Sequence, residues 1–404
     1  MKKLYLTGLL LCCAAMMVQA QEQIRVWKQG ESKRFTTSEL LFSEGATSFT
    51  VADSTYECAQ IDSITVVHTI TVTYNEDTAI VDLGHARGVT ATTDGAHVSI
   101  VSTNTKNELE FVLQGQSTQG SLTYDGPLKC KFYLNGLSLT SNRGAAIDIQ
   151  CGKRVDLILN EGTENVLADA TGGEQKAALY CKGHLEVSGS GNLTVTGNTK
   201  HGIATKEYMQ LKKSTGKITV NKAVSDAMHV GQYFLMNGGT VIISGQGADG
   251  IQVEIKTLED GQTPDPSKEN NGQVIIRGGK LNITASAICA KGIKAPKDMT
   301  VSGGIFTIDA TGNGSRGIQV AGNMLINQND NPTAITIKAL GAIYEDEETE
   351  EDSRCMGIKV KGNLTIDAGT VIITNKGYGS YGIKIDGTYT KSATANVSAK
   401  IKNN

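Results

Sequence analysis

Aromatic residues and proline are scarce in this sequence: Phe, Tyr and Trp together make up 5% of it, Trp occurs once and Pro five times. A core poor in rings must be built from aliphatic side chains, and 46 glycines set against 5 prolines suit a β-rich chain with many tight turns. Neither sign of charge is in excess. The formal net charge of -3 gives no electrostatic argument for nucleic acid, and an apolar content of 39% is that of an ordinary soluble chain rather than a membrane-spanning or disordered one. Catalytic signatures are missing as well: there is no Gly-x-Ser-x-Gly elbow, no His-Glu-x-x-His pair and no phosphate-binding glycine loop followed by Lys. Apolar positions recurring at the helical period are absent over any long window.

What the chain does contain is a repeated phrase. It reads His201-Gly202-Ile203-Ala204-Thr205, then Asp226-Ala227-Met228-His229-Val230, then Asp249-Gly250-Ile251-Gln252-Val253, with steps of 25 and 23 residues between the glycine-equivalent positions. The phrase returns at Lys291-Gly292-Ile293, Arg316-Gly317-Ile318, Met356-Gly357-Ile358 and Tyr381-Gly382-Ile383, and more loosely upstream at Ala146-Ile147 and Ala178-Leu179. Around each copy Val, Ile and Thr alternate with polar residues at period two, the pattern of half-buried strands. Gly238-Gly239, Gly278-Gly279 and Gly303-Gly304 punctuate the runs at bends that side chains with a Cβ avoid. Three short strands in each turn of about 24 residues predict an all-β chain of the single-stranded parallel β-helix type, a solenoid.

The segment 21–69 lacks the phrase and reads as a short N-terminal β cap that would shield the first sheet edge, with the repeat domain spanning 70–404. Two stretches lengthen the repeat and are expected as surface inserts: 255–272, centred on Thr263-Pro264-Asp265-Pro266, and 341–355, with the acidic run from Glu345 to Asp352. Residues 1–20, with Lys2, Lys3, the apolar run from Leu4 to Met17 and a small residue at Ala20, read as a secretory signal, so the chain is expected to be exported to the periplasm, cell surface or exterior. No lipid-attachment pattern precedes Cys12 or Cys13, and no membrane span is expected in the mature chain. The six cysteines from Cys58 to Cys355 match no metal motif and read as buried thiols, with Cys151 and Cys181 the one pair worth testing for a bridge.

Aligning the copies gives columns of side chains. Between the two inward aliphatics of each copy stands an outward residue: Asp148, Tyr180, Ala204, His229, Gln252, Lys294, Gln319, Lys359 and Lys384 in turn. The column before the glycine runs Ala145, Ala177, His201, Asp226, Asp249, Lys291, Arg316, Met356 and Tyr381, acidic in the middle and basic after it. Asp226 and Asp249 with Glu254 could share a calcium ion, which takes six to eight oxygens in irregular geometry, or each Asp could cap its own turn. Lys291, Lys294, Arg316, Lys359 and Lys384 could form a cationic strip for an anionic polymer, with His229 and Tyr180 beside it, or could serve solubility alone. Tyr208, Tyr233, Tyr378 and Tyr381 are further candidates for stacking on sugar rings.

The phrases Lys200-His201-Gly202-Ile203, Ser225-Asp226-Ala227-Met228-His229, Tyr233-Phe234-Leu235-Met236-Asn237-Gly238-Gly239-Thr240 and Gly247-Ala248-Asp249-Gly250-Ile251, with Asn135-Gly136-Leu137 upstream, resemble a family of secreted carbohydrate-binding domains. The resemblance spans about residues 70–385 and implies a right-handed parallel β-helix shaped like the pectate lyases, bound calcium and plant cell-wall polysaccharide as partner. Segment 21–69 resembles N-terminal segments of exported Bacteroidetes proteins. The sequence departs from the family at Ala227, where the pattern has Gly, and at Gly231-Gln232, where it has an acidic residue; the resemblance carries calcium only to Asp226 and Asp249. The expectation is a secreted protein that binds polysaccharide, acidic and pectin-like or another plant cell-wall glycan, on an outer face of the β-helix without cleaving it. Its rivals are a calcium-dependent lyase with Lys294 as base, and a non-catalytic structural or adhesive rod.

Overall fold

A computed structural model describes residues 23–35, 40–173, 175–345 and 352–403. The expected secretory segment lies outside them. The chain divides into two compact units, the second beginning at Thr69. In the first, strands Gln23–Lys28, Glu31–Phe35 and Ser63–Val67 form one antiparallel sheet and Leu41–Phe42, Ser48–Val51 and Ser54–Glu57 another. Its small core holds Ile24, Val26, Phe35, Phe49 and Val51. Among the described residues there is no α-helix, only a single 3-10 turn at Cys58–Gln60, and no helix long and apolar enough to cross a membrane.

The second unit is built from parallel strands in two large sheets. A 13-stranded sheet carries the repeated phrase, with Ala177–Cys181, His201–Thr205, Met228–Val230, Ile251–Val253 and Lys291–Ala295 stacked in sequence order. Each strand buries its alternate residues: Met228 and Val230, like Ile251 and Val253, are enclosed, while His229 and Gln252 between them stay partly exposed. Each enclosed aliphatic side chain is worth about 1.5–3 kcal/mol. The copies lie so close that a Cβ on Gly250 would come 2.5 Å from the carbonyl oxygen of Gly292, which explains the glycine in the phrase.

The expected right-handed single-stranded parallel β-helix is corrected by the second, 20-stranded sheet. Its hydrogen-bonded pairings close on themselves as a barrel of ten parallel strands. From Cys130–Thr140 the circuit runs through Arg154–Leu159, His184–Ser188, Met209–Leu211 and Phe234–Met236 to Val274–Ala285. It returns through Thr240–Ile243, Lys217–Ala223, Asn192–Gly197 and Glu164–Ala168 to Cys130–Thr140. Extra strands continue beyond it, including Leu109–Ser117 and Met299–Ala310. The cause is local. The Gly278-Gly279 bend was expected to separate strands, but Val274–Ala285 passes through it unbroken, with Gly279 inside the strand at φ 96, and Cys130–Thr140 likewise runs through Gly136 at φ 72. Each long strand therefore pairs with two shorter ones and joins both tracks.

Two antiparallel hairpins of this same unit cover sheet edges: Thr69–Asn75 with Thr78–Asp82, and Val89–Asp94 with His97–Ser102. One continuous aliphatic core runs through the unit, with Phe111 and Phe132 stacked at 4.5 Å in it. The cysteines of the described chain are free, and Cys151, considered with Cys181, instead donates from its thiol to the Leu128 carbonyl at 3.1 Å. The insert 341–355 begins and ends as an antiparallel pair, Tyr344–Glu345 with Asp352–Ser353; the acidic residues between lie outside the described residues.

Candidate functional site

The outward positions of the phrase stack in one column. Asp148 pairs with Tyr180, Tyr180 with Ala204, Ala204 with His229 and His229 with Gln252. The column continues through Lys294, Gln319, Lys359 and Lys384. Neighbouring strands stand about 4.8 Å apart, so side chains of successive copies are in reach of each other.

Asp226 and Asp249 enter just before their strands and are almost wholly buried, each 4% exposed. Oδ1 of Asp226 accepts the backbone N–H of Asp249 at 3.0 Å, and Oδ1 of Asp249 accepts that of Lys291 at 2.8 Å. Each carboxylate thus ties its turn to the next copy. Their free edges face different partners. Asp226 Oδ2 lies 2.9 Å from Nδ1 of His229 and 3.4 Å from Nδ1 of His201, whereas Asp249 Oδ2 lies 3.6 Å from the Lys294 ammonium. The other nitrogen of His229 meets Glu254 at 3.2 Å. Among the described residues, the ligating atoms that gather within 4.8 Å of one another belong to His201, Asp226 and His229.

These environments drive the two imidazoles apart. Burial, reinforced by the neighbouring charge of His229, pushes His201 down to about 4. Burial also opposes charge on His229, but its bonds to Asp226 and Glu254 outweigh it and raise the group to about 9. At neutral pH one ring of the stacked pair is neutral and the other charged. The Asp226 carboxyl, though buried, is held below its ordinary value by His229 and by the Asp249 N–H. Burial prevails at Asp249 and lifts it above the ordinary carboxylate value despite Lys291 and Lys294.

The residues expected to hold calcium, Asp226, Asp249 and Glu254, therefore do not present their oxygens to a common point. Two imidazole nitrogens beside Asp226 and two ammonium groups beside Asp249 make a donor set that does not fit an ion needing six to eight oxygens. Gln232, which stands where the resembled pattern is acidic, serves the architecture instead, because its amide donates to the Glu269 carbonyl at 2.8 Å and holds the insert 255–272 in place.

The insert helps to wall a groove of about 470 Å³ on this face. Lys176, Lys200, Lys206 and Lys256 line it with Tyr180, His201 and His229, and Glu254 is the acid among them. The Lys256 ammonium is committed to Glu207 at 3.1 Å, as is that of Lys268 at 3.0 Å. Tyr180 is enclosed beside Ala177 and Ala204 and offers little more than an edge to the groove. A second hollow, of about 420 Å³, shares Lys200, His229 and Glu254 with it and reaches Asp249, Lys291 and Lys294.

The groove lysines sit on the flanks of the phrase, at Lys176 and Lys200 on one side and Lys206 on the other, outside the two columns read from the repeat. The sequence carried a signal for them in the basic residues that recur at those flanking offsets. Further along, Lys291, Lys294, Arg316, Lys359 and Lys384 lie in register as cations, but several are engaged: Lys291 and Lys294 face Asp249, Arg316 donates to Gln319 and Ser353, and Lys384 is 3.7 Å from Asp386. Tyr208 is sandwiched between Tyr233 at 4.7 Å and His184 at 4.4 Å, so both of its faces are covered by other rings, while Tyr233 has one face on Tyr208. Tyr381 lies under the cations of Arg354 and Lys402.

Residues 94–396 match the model of a family described as carbohydrate-binding domain-containing protein. A protein of Acetivibrio thermocellus with that same description is 30% identical over 137 residues, covering 31% of this chain and 47% of the relative. The chain thus spans about half the length of that relative. Among solved structures, a polysaccharide lyase-like protein from C. thermocellum, a gadolinium derivative, aligns over 65% of this chain and 97% of its own, with a TM-score of 0.52 and 24% identity. At that identity the likeness is one of fold.

Proposed function

The chain belongs to the family of carbohydrate-binding domain-containing proteins, and from that premise we propose that it binds an acidic, uronate-type polysaccharide along the outward face of the 13-stranded sheet without cleaving it. The observation that carries this reading is the groove in which Lys176, Lys200 and Lys206 converge beside Tyr180 and His229. Ammonium groups recognise carboxylates as point charges, and several of them at strand spacing suit a polymer that repeats its charge. The column through Lys294, Lys359 and Lys384 extends the cationic track beyond the groove. Polymers of this class lie outside cells, so the reading takes the protein as exported.

Binding is favoured over elimination by the state of the expected base. The Lys294 ammonium is engaged by Gln252 at 3.3 Å and Asp249 at 3.6 Å, so it is turned toward its own sheet rather than toward a substrate proton. The test is incubation with polygalacturonate while following co-sedimentation and the absorbance of unsaturated products together. Retention without new absorbance is the expected result. Growing absorbance would replace the binder with a lyase, and neither signal would leave a structural rod.

A further inference from the structure

Beside the groove two imidazoles face one carboxylate oxygen, and one of their nitrogens is left without a hydrogen bond. Glu254 lies against His229 Nε2 at 3.2 Å and so fixes a proton on that nitrogen. On the other edge of the ring, Nδ1 sits 2.9 Å from Asp226 Oδ2, and the same oxygen is 3.4 Å from Nδ1 of His201. That His201 nitrogen is buried and makes no hydrogen bond, and the residue is 3% exposed. A second proton on His229 would bridge to Asp226 yet leave the His201 nitrogen unpartnered. A divalent cation would satisfy all three atoms at once.

We infer that His201 Nδ1, His229 Nδ1 and Asp226 Oδ2 form a site for one borderline divalent cation of the zinc class, with its remaining coordination open to the groove. Bonds of about 2.0–2.1 Å at the tetrahedral angle place neighbouring donor atoms about 3.3 Å apart. The separations of 3.4 and 2.9 Å from Asp226 Oδ2 bracket that value. Imidazole nitrogen with a single carboxylate suits zinc and its neighbours, whereas calcium demands oxygen. The supporting shell is also in place. Glu254 holds the far nitrogen of His229, and the Asp249 N–H fixes the other oxygen of Asp226 at 3.0 Å, the carboxylate and backbone partners that ligands of such ions use. One adjustment is needed. Stacked rings send their in-plane lone pairs out side by side, so the ring of His229, the more exposed of the two, must turn about its Cβ–Cγ bond to converge with His201.

The experiment uses the full chain without a histidine tag, stripped with chelator and titrated with metal alone. Calorimetry is expected to show one zinc per chain, and Co(II) to give the visible bands of a four-coordinate nitrogen and oxygen site that zinc abolishes. Calcium at the same concentration should give no heat. His229→Gln is expected to weaken zinc at least 100-fold, and Glu254→Gln, a change at a half-exposed side chain, about 10- to 100-fold. Near-ultraviolet circular dichroism checks that each variant is folded. Absence of stoichiometric zinc uptake by the wild type, uptake that survives His229→Gln, or equal uptake of calcium would overturn the site.

Discussion

His201 and His229 stack with 4.3 Å between ring centroids and 23° between planes, both presenting Nδ1 to the same oxygen of Asp226. Asp226 therefore serves the rings with one oxygen and the backbone of the next copy with the other. Replacing it separates the two roles. Asp226→Ala strands the buried N–H of Asp249 and should cost about 1–3 kcal/mol in denaturant unfolding. Asp226→Asn keeps an acceptor for that N–H and should cost less, while still removing the charge that steadies His229. Equal losses in the two variants would show that the backbone bond contributes little.

The groove and the distal column differ in how freely their cations can be used. Lys200→Ala or Lys206→Ala should weaken polygalacturonate binding by about two- to five-fold each, on the order of 0.5–1 kcal/mol for a solvent-screened contact. Lys384→Ala, whose ammonium already faces Asp386, should change it less. Affinity electrophoresis at low and high salt measures both effects, and the differences should shrink as salt rises. A larger loss from Lys384→Ala would move the binding surface from the groove to the column.

Much of the sheet that bears this face was legible in the residues. The recurrence of Ile and Val two apart, with one polar residue between, gave the strand period, and counting from the glycine gave which side chains share a column, as His229 over Gln252 does. Closure of the other sheet was not legible, because Gly278-Gly279 reads the same whether it ends a strand or bends one that continues. Only the hydrogen bonding of Val274–Ala285 to both neighbouring tracks decides it. The groove was hidden for a different reason. Its wall depends on contacts between distant residues, such as Glu207 with Lys268 and Gln232 with Glu269, which no periodicity encodes. The gathering of two histidines on Asp226 was only half legible, because His201 precedes it in one column whereas His229 stands in the other and reaches it across the turn.

Gly292 marks where the copies touch. A Cβ there would lie 2.6 Å from the Gly317 carbonyl oxygen and 2.9 Å from Ile308, and backbone cannot give way as a side-chain tip can. Gly292→Ala should therefore destabilise the second unit by about 1–3 kcal/mol, as overpacking does. A substitution at exposed Gly261, where a Cβ meets nothing within 4 Å but φ is 70, should act through backbone strain alone and cost less. Thermal melting of the two variants side by side checks the order.

The insert 255–272 should come loose in acid. Glu207 holds Lys256 and Lys268 across it. Burial works against the Glu207 charge, but the two ammonium groups outweigh it and hold the carboxyl below its ordinary value. A carboxyl depressed in the folded state contributes stability above its unfolded value, and that contribution disappears as pH falls through the folded one. The contacts are partly solvent-exposed, so the effect is local. The protection of the 255–272 backbone against hydrogen exchange, taken relative to the intrinsic rate at each pH, should be high at neutral pH and fall once the solution drops below the ordinary carboxylate range, while the strands Met228–Val230 and Ile251–Val253 keep theirs. Glu207→Gln should give the low protection already at neutral pH and lose its dependence on acid. Because the insert walls the groove, that variant should also bind polygalacturonate more weakly at neutral pH, with Lys200 and Lys206 unchanged. If protection in the insert were insensitive both to acid and to Glu207→Gln, the pair of ammonium contacts would not be what holds it.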